Sequence, residues 1–199
     1  MTRIAILISG YGSNQQAVMD AVTEGRLPGV EVALVVSNRK DAYGIQRAIE
    51  RGVPVVCFPL APYSKAGRPR QEYDADLARI VQAFGVSWVV QAGWMHVFTN
   101  AFLQRFPLRV VNLHPALPGT FAGTHAIQRA YEAYRQGQVT HTGVMVHLVP
   151  DEAVDAGPVV ATEKVPILPE DTLESLEARI HATEHTLLVQ ALHNLLCQN

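Results

Sequence analysis

The chain keeps changing its hydrophobic period, and that alternation limits its fold more than any single residue does. Residues 4–9, 30–37, 53–58 and 86–91 are short runs rich in valine and isoleucine, the composition of strands buried on both faces of a parallel sheet. Between them, residues 14–24, 43–51 and 73–84 place apolar side chains three or four positions apart among charged ones, so each carries one apolar stripe at helical spacing. The order βαβαβαβ predicts an α/β fold with a doubly wound, mostly parallel sheet and helices on both faces, Rossmann-like in plan. A strand at 110–113, a helix over 124–135, extended segments at 143–149 and 158–166 and a last helix over 172–196 complete the pattern. Residues 59–70 gather proline, glycine and positive charge and read as a solvated loop.

With 199 residues, 48% of them hydrophobic, the chain is expected to make one compact unit over 1–199, since domains commonly run to ~100–200 residues. Sixteen Lys and Arg stand against 18 Asp and Glu, a net charge of -2. No basic excess advertises nucleic acid or an acidic membrane, and a small-molecule partner is expected instead. The N-terminus runs straight into a short strand without the apolar core of a signal peptide, so the cytoplasm is the expected location. Cys57 and Cys197 fall in no metal or disulfide pattern and read as free thiols. Monomer and homodimer both remain open.

In sheets of this kind ligands gather outside the carboxyl ends of the strands. The first such end is SGYGSN, residues 9–14, where glycines permit a tight turn and Ser13 and Asn14 suit a helix N-cap. Backbone amides there suit a single phosphate, although an ordinary capped turn has the same composition. The dinucleotide fingerprint fails, because Gln15 stands where a third glycine belongs and no acid occupies the ribose position. The second end is VVNLHP, where Asn112 and His114 lie two apart in a strand and so share a face. An amide and an imidazole together suit an oxyanion and a moving proton, but a turn-capping asparagine and a core histidine are the bland equivalents. Asp151, Glu152 and Asp155 in PDEAVDAGPVV each qualify as the acid that orients His114, and composition does not choose among them. His181, Glu184 and His185 spell H-x-x-E-H, a zinc-peptidase pattern that lacks a downstream third ligand.

ISGYGSNQQAV, VVSNR, QAGWM, VVNLHPALPGTFAGTHAIQRA, GVMVHLV, VDAGPVV and EARIHATEH, taken in order from about residue 3 to 192, resemble the phosphoribosylglycinamide formyltransferases of purine synthesis. The resemblance implies a formyl transfer from 10-formyltetrahydrofolate, as co-substrate, to the amine of glycinamide ribonucleotide, with no metal. It implies a phosphate-binding half over 1–100 and a catalytic, folate-binding half over 101–199. By the same resemblance the catalytic trio is Asn112, His114 and Asp155, with Asp155 holding His114 in its charged form. Gly12, Ser13 and Asn14 match the phosphate turn, Glu184 the acid that meets the glycinamide, and His181 a helper one helical turn earlier. Met95, His96, Val97, Phe98, Val149 and Asp151 match the folate pocket, together with Asn112 and Asp155, and Arg70 is the partner implied for the folate's glutamate tail. His96 departs from the arginine often found there, and AGTH at 122–125 departs from PGxH, which puts His125 in doubt. A formyltetrahydrofolate hydrolase and a non-catalytic nucleotide-binding module are the alternatives.

Overall fold

Alternation along β1 (Thr2–Ile8) sets the layering. In the computed structural model, which describes residues 1–197, Ile4, Ile6 and Ile8 enter one apolar cluster while Ala5 and Leu7 enter another. That division follows the two-residue period of a strand buried on both faces. β2 (Val30–Ser37), β3 (Val55–Cys57), β4 (Trp88–Gln91) and β5 (Val110–His114) extend the sheet in parallel. β6 (His141–Leu148) and β7 (Val159–Pro166) add two antiparallel strands, and the order across the sheet is β3-β2-β1-β4-β5-β6-β7. β6 pairs with β5 so that Asn112 faces His147, while its pairing with β7 slips between Val146 and His147.

Helices α1 (Ser13–Thr23), α2 (Tyr43–Glu50), α6 (Ala126–Arg135) and α7 (Leu173–Leu196) cover one face. The short α3 (Ala61–Lys65), with α4 (Arg70–Ala83) and α5 (Asn100–Leu103), covers the other. The strand order reverses direction between β1 and β4, which opens a crevice at their carboxyl ends. Among the described residues no helix is long and apolar enough to cross a membrane.

The structure corrects the sequence reading in three places. Residues 59–70 are not a loop: they contain α3, and α4 already begins at Arg70. Pro62 presets the first turn of α3, and Tyr63 anchors it by donating to Asp76 at 2.6 Å beneath the Arg68 guanidinium. Five residues are too few to show a helical period. The four-residue α5 was invisible for the same reason. The helix expected from 124 begins at Ala126, because His125 turns left-handed with φ 56 and stops it growing backwards.

Candidate active site

β5 delivers two polar side chains to the crevice on one side of the sheet. Val111 and Leu113 belong to the cluster under α7, so Asn112 and His114, at the alternate positions, face the other way. The loop leaving β6 brings Asp155 between them. Asn112 Nδ2 donates to Asp155 Oδ1 at 3.0 Å, and His114 Nδ1 lies 3.2 Å from Asp155 Oδ2. The Gly123 amide donates to that same Oδ2 at 2.8 Å. Asp155 is itself left-handed, φ 52, a strained backbone that aspartate tolerates better than most residues. Gly157 explains how the chain reaches this point, since a Cβ there would strike the Leu148 carbonyl where the loop folds back over β6. The Pro158 carbonyl then accepts the Leu148 amide at 2.9 Å, one residue before β7 begins.

A fourth side chain completes the cluster. His147, 1% exposed, lies opposite Asn112 with its Nε2 3.1 Å from Asn112 Nδ2. Its Nδ1 sits 2.9 Å from the Leu148 carbonyl, which only accepts, so Nδ1 carries the proton. Nε2 also lies 3.5 Å from Asp155 Oδ1. In the neutral ring it accepts from Asn112, which then uses its two amide hydrogens on His147 and Asp155. In the protonated ring it donates to Asp155 and supports that carboxylate's charge. An ionised Asp155 fixes which way the Asn112 amide faces.

Electrostatics here run against one expectation from sequence. Burial is the strongest influence on His114 and pushes its pKa below the ordinary histidine value, while the Asp155 carboxylate pulls it back only in part. The resting imidazole is thus favoured neutral rather than held charged by Asp155, because a ring 4% exposed loses more by desolvation than one carboxylate restores. With its Nδ1–H directed at Asp155, His114 keeps Nε2 as a bare acceptor, buried and without a hydrogen-bond partner. Burial also works against the charge on Asp155, but the nearby His147, the Gly123 amide and His114 outweigh it and lower that carboxyl's pKa.

A cavity of about 350 Å³ opens beside these groups, within the range of small-molecule sites. Trp94, Met95, His96, Val97 and Phe98 of the segment after β4 line it, together with Val149, Asp151 and Val154 of the loop after β6. His96 stands edge-on to Trp94 and Tyr73, with ring centroids 5.6 and 6.3 Å away. Its burial, then the cationic Arg70, lower its pKa.

At the end of β1 the turn is made by Gly12, whose φ is 77. A Cβ there would lie 2.7 Å from the Gly44 Cα at the start of α2, so only glycine fits. No side chain caps α1. The expected capping by Ser13 and Asn14 is therefore corrected: Gly12 is the N-cap, and both polar residues already belong to the helix. Asn14 instead reaches α7, donating from Nδ2 to Glu184 Oε2 at 3.0 Å. Glu184 is 5% exposed, and that burial raises its pKa against the opposing pull of Asn14 and His181.

Residues 2–192 match the family model for formyl transferase. The phosphoribosylglycinamide formyltransferase of Schizosaccharomyces pombe is 48% identical, with 98% of this chain and 98% of that protein covered. The chain belongs to the formyl transferase family. A crystal structure of phosphoribosylglycinamide formyltransferase from Bacillus halodurans superposes with a TM-score of 0.91 at 35% identity, covering 99% of this chain and 96% of that one. In Drosophila melanogaster, a trifunctional purine biosynthetic protein is 38% identical over 96% of this chain but only 14% of its own length.

Within this formyl transferase, Asp155 is the one acid of the three in PDEAVD that touches both Asn112 and His114. Asp151 lines the cavity and accepts the Ala153 amide, and Glu152 accepts the Asn100 amide at 2.8 Å. Met95, His96, Val97, Phe98 and Val149 all line the cavity. Arg70 does not line it: the guanidinium binds Asp74 and the Val97 carbonyl. His125 lines it as the left-handed cap of α6, in a turn held by Arg129 through the Phe121 and Ala122 carbonyls. His181 is exposed on α7, one turn before Glu184. Glu184 is committed to Asn14, and among the described residues no three His, Cys, Asp or Glu side chains converge as metal ligands would. Cys57 and Cys197 are free thiols. Sequence reasoning missed His147 and the Gly123 amide. The only hint was a histidine in the otherwise apolar alternation of GVMVHLV.

Proposed function

We propose that this chain transfers the formyl group of 10-formyltetrahydrofolate to the amine of glycinamide ribonucleotide in purine biosynthesis, as a single unit over 1–199 acting in the cytoplasm. One observation carries the reading: a carboxylate gripped by both an asparagine and a histidine at the wall of a largely apolar cavity. The near full-length similarity to enzymes of that name supports it. Trp94, Phe98 and the edge-on His96 suit a flat heteroaromatic donor, bounded by Met95, Val97, Val149 and Asp151. The acceptor's phosphate is assigned to Gly12, Ser13 and Asn14, whose helix has no side-chain cap. Glu184, with His181 beside it, is assigned to the glycinamide.

The chemistry follows from the resting state of His114. As the acceptor's amine attacks the formyl carbon, its nitrogen becomes cationic and the carbonyl oxygen becomes an oxyanion. Neutral His114 takes the amine's proton at Nε2, and the imidazolium so formed is stabilised by Asp155 on Nδ1. Asn112 turns one amide hydrogen from its resting partners to the oxyanion. When the bond to the folate nitrogen breaks, that nitrogen receives the proton from His114. Proton and charge movements close without a metal.

The test is to mix the protein with 10-formyltetrahydrofolate and glycinamide ribonucleotide and follow the deformylated folate. Product formation that requires the acceptor is expected. Equal formyl loss without the acceptor would make the protein a hydrolase, and binding of the nucleotide without turnover would make it a non-catalytic module.

A further inference from the structure

The cavity wall after β4 is irregular chain, and its backbone groups find partners only where a side chain reaches them. Trp94 and Phe98 are buried, with Phe98 stacked on Phe102, but Met95 and Val97 are exposed. Apolar packing therefore pins single side chains of this wall and leaves its backbone groups at 97 and 99 to polar partners. Asp74 of α4 is fully buried, and its two oxygens do different work. Oδ2 accepts the Thr99 amide at 2.7 Å, and Oδ1 accepts Arg70 Nε at 2.9 Å. Arg70 in turn donates from Nη2 to the Val97 carbonyl at 2.7 Å. One carboxylate thus fixes an amide directly and, through a guanidinium, a carbonyl two residues earlier. The next amide along, that of Asn100, is held by Glu152 of the loop after β6.

We propose that Asp74 is a positioning residue for the formyl-donor cavity, setting the 95–99 wall through the Thr99 amide and the Arg70–Val97 contact. The inference rests on the reading of this cavity as the donor site. It also gives Arg70 a second way to influence donor affinity, independent of any glutamate tail. Asp74 touches no reacting atom, so its loss moves donor affinity and leaves the chemical step alone.

Asp74→Asn keeps the volume but removes the charge that holds both ties. The donor KM is expected to rise about tenfold, the effect of losing one charge-assisted tie, while the acceptor KM and kcat stay within about twofold. Unchanged donor KM, or equal change in both KM values, overturns the proposal. If Asp74→Asn does not fold, Arg70→Gln decides, measured with a formyl donor cut back to the benzoate. A raised KM for that short donor supports the brace, and an effect confined to the glutamylated donor overturns it. A wild-type protein with no turnover defeats the proposed function instead. The brace is then read from Trp94 fluorescence in a Trp88→Phe background, where unchanged emission on Asp74→Asn overturns it.

Discussion

The turn after β1 and the cluster after β5 both stand at carboxyl ends of parallel strands and are built in opposite ways. At β1 the offered groups are backbone amides from contiguous residues, beside an exposed Tyr11. At β5 they are side chains from residues 112, 114, 147 and 155 with one amide from 123, all drawn together by the fold. The first end depends on a backbone angle that one glycine supplies. The second depends on desolvation, which decides the state of His114 against its own counterion. A backbone site forgives changes of side chain but not of glycine, whereas a buried side-chain site is sensitive to every charge in it.

The sharpest test of that contrast is Asp155→Asn, which keeps the shape and removes the charge. Turnover is expected to fall ~100-fold or more, the usual worth of acid–base and oxyanion groups, with both substrates still bound. Steady-state kinetics beside equilibrium binding measure this, and an equal loss on Asp151→Asn would show that the wrong acid had been chosen.

Gly12→Val attacks the other end. Its acceptor KM should rise roughly tenfold or more while the donor KM holds, since a side chain both blocks close approach and forces a left-handed backbone worth about 1–2 kcal/mol. Tm should fall by at least some 2–8 °C from the backbone angle alone, given about 2–4 °C per kcal/mol for a chain of this size, with the clash against the Gly44 Cα adding to it. Equal weakening of both substrates would mean that the two ends are not separable.

His147→Phe keeps a buried ring but leaves one Asn112 hydrogen unpaired. A drop in kcat of about tenfold is expected, from a lost buried hydrogen bond of about 1–2 kcal/mol. Unchanged kcat would reduce His147 to a core residue.

The smallest effect is a pH signature. With His114 in the proposed role of neutral base, its pKa lowered below 6.5 by burial, kcat should stay on its plateau down through pH 6.5 and fall only as pH drops through the lower native value. Folding stability follows the same direction: below 6.5 the unfolded chain binds a proton that the native ring resists, so acid destabilises. Glu184 is raised above 4.5, so the acceptor KM should climb as acid protonates it, at a higher pH than for an ordinary glutamate. A kcat limb centred above pH 6.5 would restore the charged resting histidine.

What the sequence disclosed follows the same division. The long strands and helices were legible because each repeats its period several times, as β2 and α7 do. Asn112 and His114 were legible because two residues in one strand share a face. His147 was not, since only the antiparallel register of β5 and β6 sets it opposite Asn112. Nor was the resting charge of His114, because no sequence pattern states how much water a folded ring loses. The bracing role of Asp74 was hidden for a related reason: with Arg70 it looks like a routine i,i+4 helix pair until its full burial is known.

β6 lives with two registers at once. Toward β5 it is locked, because one residue of slip would replace His147 by an aliphatic side chain and turn the imidazole to the opposite face. Toward β7, the outermost strand of the sheet, the slip between Val146 and His147 already takes up a residue. The edge therefore acts as slack for changes of chain length. A residue gained or lost toward the Pro166 end of β7 falls on the outer edge, away from His147 and Asp155, while the same event inside β6 misaligns the whole cluster.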